Sequence, residues 1–288
     1  MLAVLNPLGD RELVDKLLAA NVTSLSLDNI PRTTRAQAMD VLSSMATVSG
    51  YKAVLTAATT LPKFFPMFMT AAGTITPAKV LILGAGVAGL QAIATAKRLG
   101  GVVHAFDVRA AAKEEVLSLG AKFVEVEGAK DDVAAGGYAV EQTEEFKQKQ
   151  RQLIHDHSAK SDVIISTAQI PGRKAPILVT RETVEAMQPG SVIIDLAAST
   201  GGNCEVTENN KTVVHNGVYV IGESNFPSTM PAAASKMFGK NINNLLKIMI
   251  KDGELNLDFE DDIIKGTTVT HEGNIISERV QSILQPQA

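Results

Sequence analysis

The run 80–107, VLILGAGVAGLQAIATAKRLGGVVHAFD, constrains the chain more than any other: an unbroken apolar stretch, three glycines at Gly84, Gly86 and Gly89, a helical pattern, and a second apolar stretch closed by Asp107. A continuous VLIL run suits a strand buried on both faces. In the G-x-G-x-x-G spacing the first glycine permits a tight turn, the second lets backbone approach a pyrophosphate, and the third lets helix pack closely on strand. The helix start then offers unpaired N–H groups and a positive dipole end to an anion. An acid closing the next strand accepts hydrogen bonds from ribose hydroxyls and disfavours a 2′-phosphate, so Asp107 points to NAD(H) rather than NADP(H). Arg109, two residues on, softens that discrimination. A glycine turn alone also occurs in ligand-free strand–helix joints; the strand, the helix and the acid together carry the reading.

The neighbouring pattern extends it. Strands are expected over 80–83, 102–107 and 122–126 with helices over 87–99 and 110–119, then a polar helix over 141–157, strands over 163–167, 192–196 and 218–221, and a short helix over 180–187. This alternation predicts an α/β fold with a doubly wound parallel sheet of the Rossmann type across residues 51–231. Before it stand a helical stripe over 10–20, an alternating stretch over 22–27 and, after Pro31, one long helix from Thr34 to about Thr60. After it a second long helix runs from Pro231 to about Ile250, with a weakly alternating tail over 257–276 that carries a turn at His271–Asn274. Residues 1–50 and 232–288 are expected to pack as a second, incomplete α/β domain.

Composition narrows the partners. At 288 residues and 45% hydrophobic content the chain can bury two domain cores. A net charge of −4 leaves no broad basic surface for nucleic acid. The one cysteine, Cys204, cannot form an internal disulfide, and no Cys/His cluster has metal-ligand spacing, so no metal is expected. The apolar stretch 54–90 is broken by Pro62, Lys63, Pro66, Pro77 and Lys79, so no membrane span is expected, and residues 1–9 carry no secretory pattern.

Five segments carry a resemblance: PRTTRAQAMDVLSSMA (31–46), MTAAGTITPAKVLILGAGVAGLQAIATAKRLG (69–100), GGYA (136–139), IPGRKAP (170–176) and GSVIIDLAASTGGNCE (190–205). Together they resemble domain I of proton-translocating NAD(P) transhydrogenase, the alpha-subunit component that binds NAD(H) and is related to alanine dehydrogenase. The resemblance implies that Arg32, Gln37, Asp40 and Ser43 hold the nicotinamide. Gln37, Asp40 and Ser43 recur every three residues and so would share one helical face, with Asp40 and Arg32 able to pair. Spacing alone favours a solvated face with an exposed ion pair over ligand contact; the resemblance reverses that order. The resemblance further implies that Gly137 and Tyr138 sit at the tip of a mobile loop that closes over the nucleotide. It places Val87 at the phosphate turn, Asp107, Val108 and Arg109 around the adenosine, and Gln150 at the border of the site. Gln169 stands where relatives look to have leucine.

The implied reaction passes hydride from NADH to NADP⁺ held by a separate NADP(H)-binding domain, with a membrane proton-channel domain coupling it to proton movement. A homodimer is implied, as is a soluble domain at the cytoplasmic face of the inner membrane, or the matrix side in a mitochondrion. No catalytic side chain is assigned, because hydride transfer between two nicotinamides needs ring alignment rather than a proton donor. The rival is an alanine dehydrogenase-type enzyme, which would carry an acid two residues before Gly201-Gly202, where this chain has Ser199. A third reading is a non-catalytic NAD(H)-binding module. Of the five histidines, His155 and His157 point to different helix faces, and His104, His215 and His271 read as structural or exposed. Relatives carry roughly another half-domain before the point matching Leu2, so a truncated product or a different start is expected.

Overall fold

The computed structural model describes residues 1–126, 143–170 and 172–284. In chain order the elements are β1 (Leu2–Ala3), α1 (Arg11–Ala19), β2 (Ser24–Ser26), α2 (Val41–Thr60), β3 (Phe68–Thr70), β4 (Gly73–Ile75), β5 (Lys79–Leu83), α3 (Val87–Arg98), β6 (Val102–Phe106), α4 (Ala112–Ser118), β7 (Lys122–Phe123) and α5 (Glu144–Ser158). There follow β8 (Val163–Ser166), α6 (Arg181–Glu185), β9 (Val192–Asp195), β10 (Thr212–His215), β11 (Val218–Ile221), α7 (Pro231–Met249), β12 (Ile250–Lys251), β13 (Glu254–Leu255), α8 (Asp262–Thr267), β14 (Thr268–His271), β15 (Asn274–Ile275) and α9 (Glu278–Leu284). Contacts gather these into two compact units, Ala46–Met230 and Met1–Met45 with Pro231–Ala288.

The larger unit is built on a seven-stranded sheet in the order β10-β11-β9-β8-β5-β6-β7. Its neighbours are parallel except for the edge hairpin β10/β11. Both faces of the central strands are buried, as their unbroken apolar runs require. Val80, Ile82, Val163, Ile165, Val192 and Ile194 pack on one face beneath Ala92, Ile93 and Ala96 of α3 and Ala53, Val54 and Ala57 of α2. Leu81, Leu83, Ile164, Ile193, Val218 and Val220 pack on the other beneath Ile154 of α5 and Val184 of α6. The chain leaves β5 for β6 and β7 on one side, then returns to β8 on the other. The topological switch therefore falls between β5 and β8, where an open parallel sheet leaves a crevice at its carboxyl ends.

The smaller unit has a four-stranded sheet, β1-β2-β14-β15, in which β1/β2 is parallel and β2/β14 and β14/β15 are antiparallel. Its core joins Leu25, Leu27, Ile30, Ala36 and Met39 to Leu245 and Met249 of α7 and Ile263 and Ile264 of α8. Among the described residues no helix is long and apolar enough to cross a membrane.

Three sequence expectations change here; the tail over 257–276, expected to alternate weakly, contains helix α8 (Asp262–Thr267). The single helix from Thr34 is instead a 3-10 turn, Thr34–Met39, separated from α2 by Asp40 at φ −72° and ψ 97°. Strand β10 was not foreseen, although Asn216-Gly217, both at positive φ (50° and 77°), form the turn that a two-residue hairpin demands. Asp252-Gly253 serve β12/β13 in the same way, at φ 53° and 83°.

Helix α5 rests on the sheet partly through two half-buried histidines: the rings of His104 on β6 and His157 on α5 meet edge to face, with centroids 5.5 Å apart. Burial lowers both pKa values from 6.5. His157, Lys122 and Lys79 lower His104 further, and Lys160 lowers His157 against a smaller opposing effect of Asp156. The unfolded chain therefore takes up protons just below pH 6.5 that the folded chain refuses, and stability is lost as pH falls through that value. Urea midpoints should fall between about pH 7.5 and about pH 5.5, and His104→Gln with His157→Gln should flatten part of that slope.

Candidate functional site

At the carboxyl end of β5 the backbone itself makes the site. Gly84 adopts φ +99°, and its N–H donates to the carbonyl of Phe106 at 2.8 Å, tying the turn to the end of β6. Just past the end of β8, the Thr167 hydroxyl donates to the Gly84 carbonyl at 3.0 Å. A Cβ on Gly89 would lie 1.9 Å from that same carbonyl oxygen, so only hydrogen fits where α3 crosses the turn. A Cβ on Gly86 would meet nothing within 4 Å. Gly86 is also the N-cap of α3 and contributes no side-chain cap, so the first-turn N–H groups, which have no intrahelical acceptors, begin beside open space. Val87, the first residue of α3, is exposed.

Asp107 follows β6, and its side chain is only 7% exposed. Its Oδ2 accepts from the N–H of Ala85 at 2.7 Å and from Arg109 Nη2 at 2.8 Å. Oδ1 accepts from the N–H and the Nε of Arg109, both at 2.9 Å. The carboxylate thus holds the glycine turn and the Arg109 guanidinium at once. Val108 is half-buried against the core on the α5 side of the sheet. Gln150 lies half-buried on α5. Exposed Gln169 donates from Nε2 to the carbonyl of Leu196 at 2.9 Å, a bond that leucine cannot make. Gly137 and Tyr138 lie outside the described residues.

A second carboxylate, which sequence reasoning missed, organises the same end of the sheet. Asp195 ends β9 wholly buried and accepts from the N–H groups of Ala197 (3.0 Å), Asn203 (2.7 Å) and Cys204 (3.0 Å) and from the Thr207 hydroxyl (2.7 Å). The Asn203 side chain then accepts from the N–H of Ala168 and donates to the carbonyls of Ala168 and Pro176, at 2.8–3.0 Å. The available signal was an acid closing an otherwise apolar VIID strand ahead of Gly201-Gly202, which both take positive φ.

In the smaller unit, Arg32 and Gln37 are exposed and Asp40 and Ser43 are half-buried. The shared helical face expected for Gln37, Asp40 and Ser43 does not form, because Gln37 lies on the 3-10 turn and Asp40 in the break after it. Asp40 instead caps α2: Oδ1 accepts from the Ser43 N–H at 2.9 Å and Oδ2 from the Ser43 hydroxyl at 2.6 Å. An N-terminal carboxylate cap satisfies donors that the helix cannot, which is why the helix starts here rather than at Thr34.

Comparison with known proteins decides the family. Residues 53–278 match the alanine dehydrogenase/PNT C-terminal domain, and residues 1–49 match the N-terminal domain of the same family. The chain belongs to the alanine dehydrogenase/PNT family. It is 48% identical over 280 residues to NAD(P) transhydrogenase subunit alpha of Haemophilus influenzae, covering 96% of this chain and 55% of that protein. It is 50% identical over 276 residues to an NAD(P) transhydrogenase subunit alpha polypeptide of Rhodospirillum rubrum, covering 94% of this chain and 72% of that protein. The chain thus spans little more than half of the first relative's length. A solved transhydrogenase from Sinorhizobium meliloti superposes with a TM-score of 0.85 at 46% identity, over 96% of this chain and 74% of that one. An L-alanine dehydrogenase structure shares the fold with a TM-score of 0.77 at 23% identity, over 98% and 74% of the two chains.

Within this family an alanine dehydrogenase-like acid would stand at Ser199, which is exposed on a 3-10 turn, Ala198–Thr200, and has no carboxylate to offer. The remaining histidines have structural partners: His155 bonds Thr183 (3.0 Å), His215 bonds Glu185 (2.8 Å) and His271 bonds Thr23 (3.0 Å). The Cys204 thiol is buried and pushed up to about 11 by that burial, which leaves it inert. Among the described residues no His/Cys/Asp/Glu group could hold a metal.

The glycines separate by substitution. Gly89→Ala should cost at least about 2 kcal/mol in urea unfolding, whereas Gly86→Ala should stay within about 0.5 kcal/mol. Asp195→Ala strands three buried N–H groups and should cost at least about 3 kcal/mol in the same assay.

Proposed function

We propose that this chain is the NAD(H)-binding component of a proton-translocating NAD(P) transhydrogenase. The observation that carries the reading is the open, uncapped start of α3 at Gly86 with Asp107 beside it, in a chain half identical to the Rhodospirillum rubrum transhydrogenase alpha polypeptide. The residues fit a dinucleotide: a position where a Cβ would meet nothing leaves room for backbone to approach a pyrophosphate, and the helix start supplies N–H donors and dipole. Asp107 accepts from the adenine ribose, flanked by Val108 and Arg109. Val87, Gln150 and Gln169 border the same nucleotide. By family resemblance Arg32, Gln37, Asp40 and Ser43 orient the nicotinamide, Gln37 matching its carboxamide with an amide, and Gly137 and Tyr138 close over it.

The bound dinucleotide supplies the hydride, and the acceptor is NADP⁺ on a separate NADP(H)-binding domain, coupled through a membrane proton-channel domain. What this chain contributes is position. A rigid cap at Asp40 and a turn pinned at Gly84 fix groups in place, and ring proximity needs no protein acid or base. The exposed Ser199 supports this reading over alanine oxidation. The component is read as a homodimer and as a soluble domain on the cytoplasmic or matrix side of the membrane.

The test mixes the purified chain and NADH with a partner domain loaded with the thionicotinamide analogue of NADP⁺, and follows the reduced thionicotinamide, whose absorbance is separate from that of NADH. Hydride transfer only when both are present is expected; no transfer at saturating nucleotide, or turnover of alanine with NAD⁺ and no partner, overturns the reading. Asp107→Asn should weaken NADH binding by about tenfold, while Gln37→Asn should leave binding near wild type and slow transfer.

A further inference from the structure

The Asp107 carboxylate is full. Its two oxygens offer about four lone-pair positions, and four donors occupy them: the N–H of Ala85, the N–H of Arg109, and the Nε and Nη2 of the Arg109 guanidinium. The two backbone bonds belong to the turn and cannot leave without dismantling it. The two guanidinium bonds belong to a side chain that is 28% exposed, against 7% for Asp107, and these are the ones able to exchange. An adenine ribose brings two hydroxyl donors, at its 2′ and 3′ positions. It can reach Asp107 only by replacing the two guanidinium donors, one for one.

We propose that Arg109 is a specificity-determining residue that competes with the ribose for Asp107 and, once displaced, remains tethered two residues away as a fork for a 2′-phosphate. This rests on the reading that the adenosine of a dinucleotide meets Asp107. Two consequences have opposite signs. For an unphosphorylated ribose, Arg109 is a competitor and weakens binding. For a 2′-phosphate, Arg109 covers the carboxylate that would repel the ligand and offers a planar pair of donors to it. The preference for NAD(H) over NADP(H) is therefore smaller than Asp107 alone would impose.

The experiment uses the full chain with ADP-ribose and 2′-phospho-ADP-ribose, which lack the nicotinamide and so do not engage its contacts, and measures both dissociation constants by calorimetry. Arg109→Met should tighten ADP-ribose several-fold and weaken 2′-phospho-ADP-ribose, raising the ratio of the two constants by at least about tenfold. Arg109→Lys, which keeps the charge but not the fork, should fall between wild type and Arg109→Met. Asp107→Asn should lower the ratio. An unchanged or smaller ratio in Arg109→Met, or equal weakening of both ligands, overturns the proposal and leaves the dinucleotide site standing. Failure of ADP-ribose to bind the wild-type chain overturns that site, and the proposal with it. A thermal-unfolding comparison identifies any variant that has lost its fold, and the Lys variant then carries the test.

Discussion

The carbonyl oxygen of Gly84 lies so near the underside of α3 that a Cβ on Gly89 would stand 1.9 Å from it, and that contact sets the spacing of the whole nucleotide-binding layer. A second contact repeats it one layer out, where a Cβ on Gly50 of α2 would stand 2.1 Å from the Ala88 carbonyl of α3. Helix α2 rests on α3 and α3 on the sheet at backbone distance, so small residues such as Ala53, Ala57, Ala92 and Ala96 fill the core between them. Once α3 is held this close, its N-terminus has one place to point: beyond the carboxyl ends of β5 and β8, where the Thr167 hydroxyl closes the turn from the far side.

Two acids hold that edge, and their donors tell them apart. Asp195 is met by three backbone N–H groups and the hydroxyl of Thr207, all part of the loop it organises. A wholly buried carboxylate with that donor set is stable only while every bond is kept, so it shapes the loop and has nothing to give a ligand. Asp107 is met by two backbone N–H groups and the partly exposed guanidinium of Arg109. Half of its capacity is structural and half is exchangeable. Both acids end or follow strands of the same sheet, yet only one can change partners without unfolding its surroundings.

The larger unit was legible because its signals are local and cooperative. Unbroken apolar runs such as VLIL, VIIS and VIID have one stable placement, between two layers of helices, and the glycine spacing fixes the turn that joins strand to helix. What stayed hidden depended on which way a short polar side chain bonds. Asp40 looked like one member of a helical stripe, but its carboxylate satisfies the Ser43 N–H, so the helix begins after it and the stripe dissolves. Asp195 falls inside the strand expected over 192–196, and its role depends on donors from residues that only the fold brings back to it. The hairpin at Asn216-Gly217 was readable in principle, because both residues favour positive φ, but the strands it joins are only four residues each, too short for alternation to stand out.

On the proposed reading, the exchange at Asp107 also bears on how tightly such a component should hold its nucleotide. A site that replaces two existing hydrogen bonds with two new ones gains little net free energy from them, because the broken guanidinium bonds offset those formed with the ribose. The pyrophosphate at the start of α3 must then supply most of the affinity, and the ribose contact mainly selects. For a component that takes up reduced dinucleotide and releases the oxidised form in each turnover, modest affinity keeps release from becoming the slow step. A bare Asp107 would bind more tightly and select more strictly, but it would hold the spent nucleotide by the same bonds.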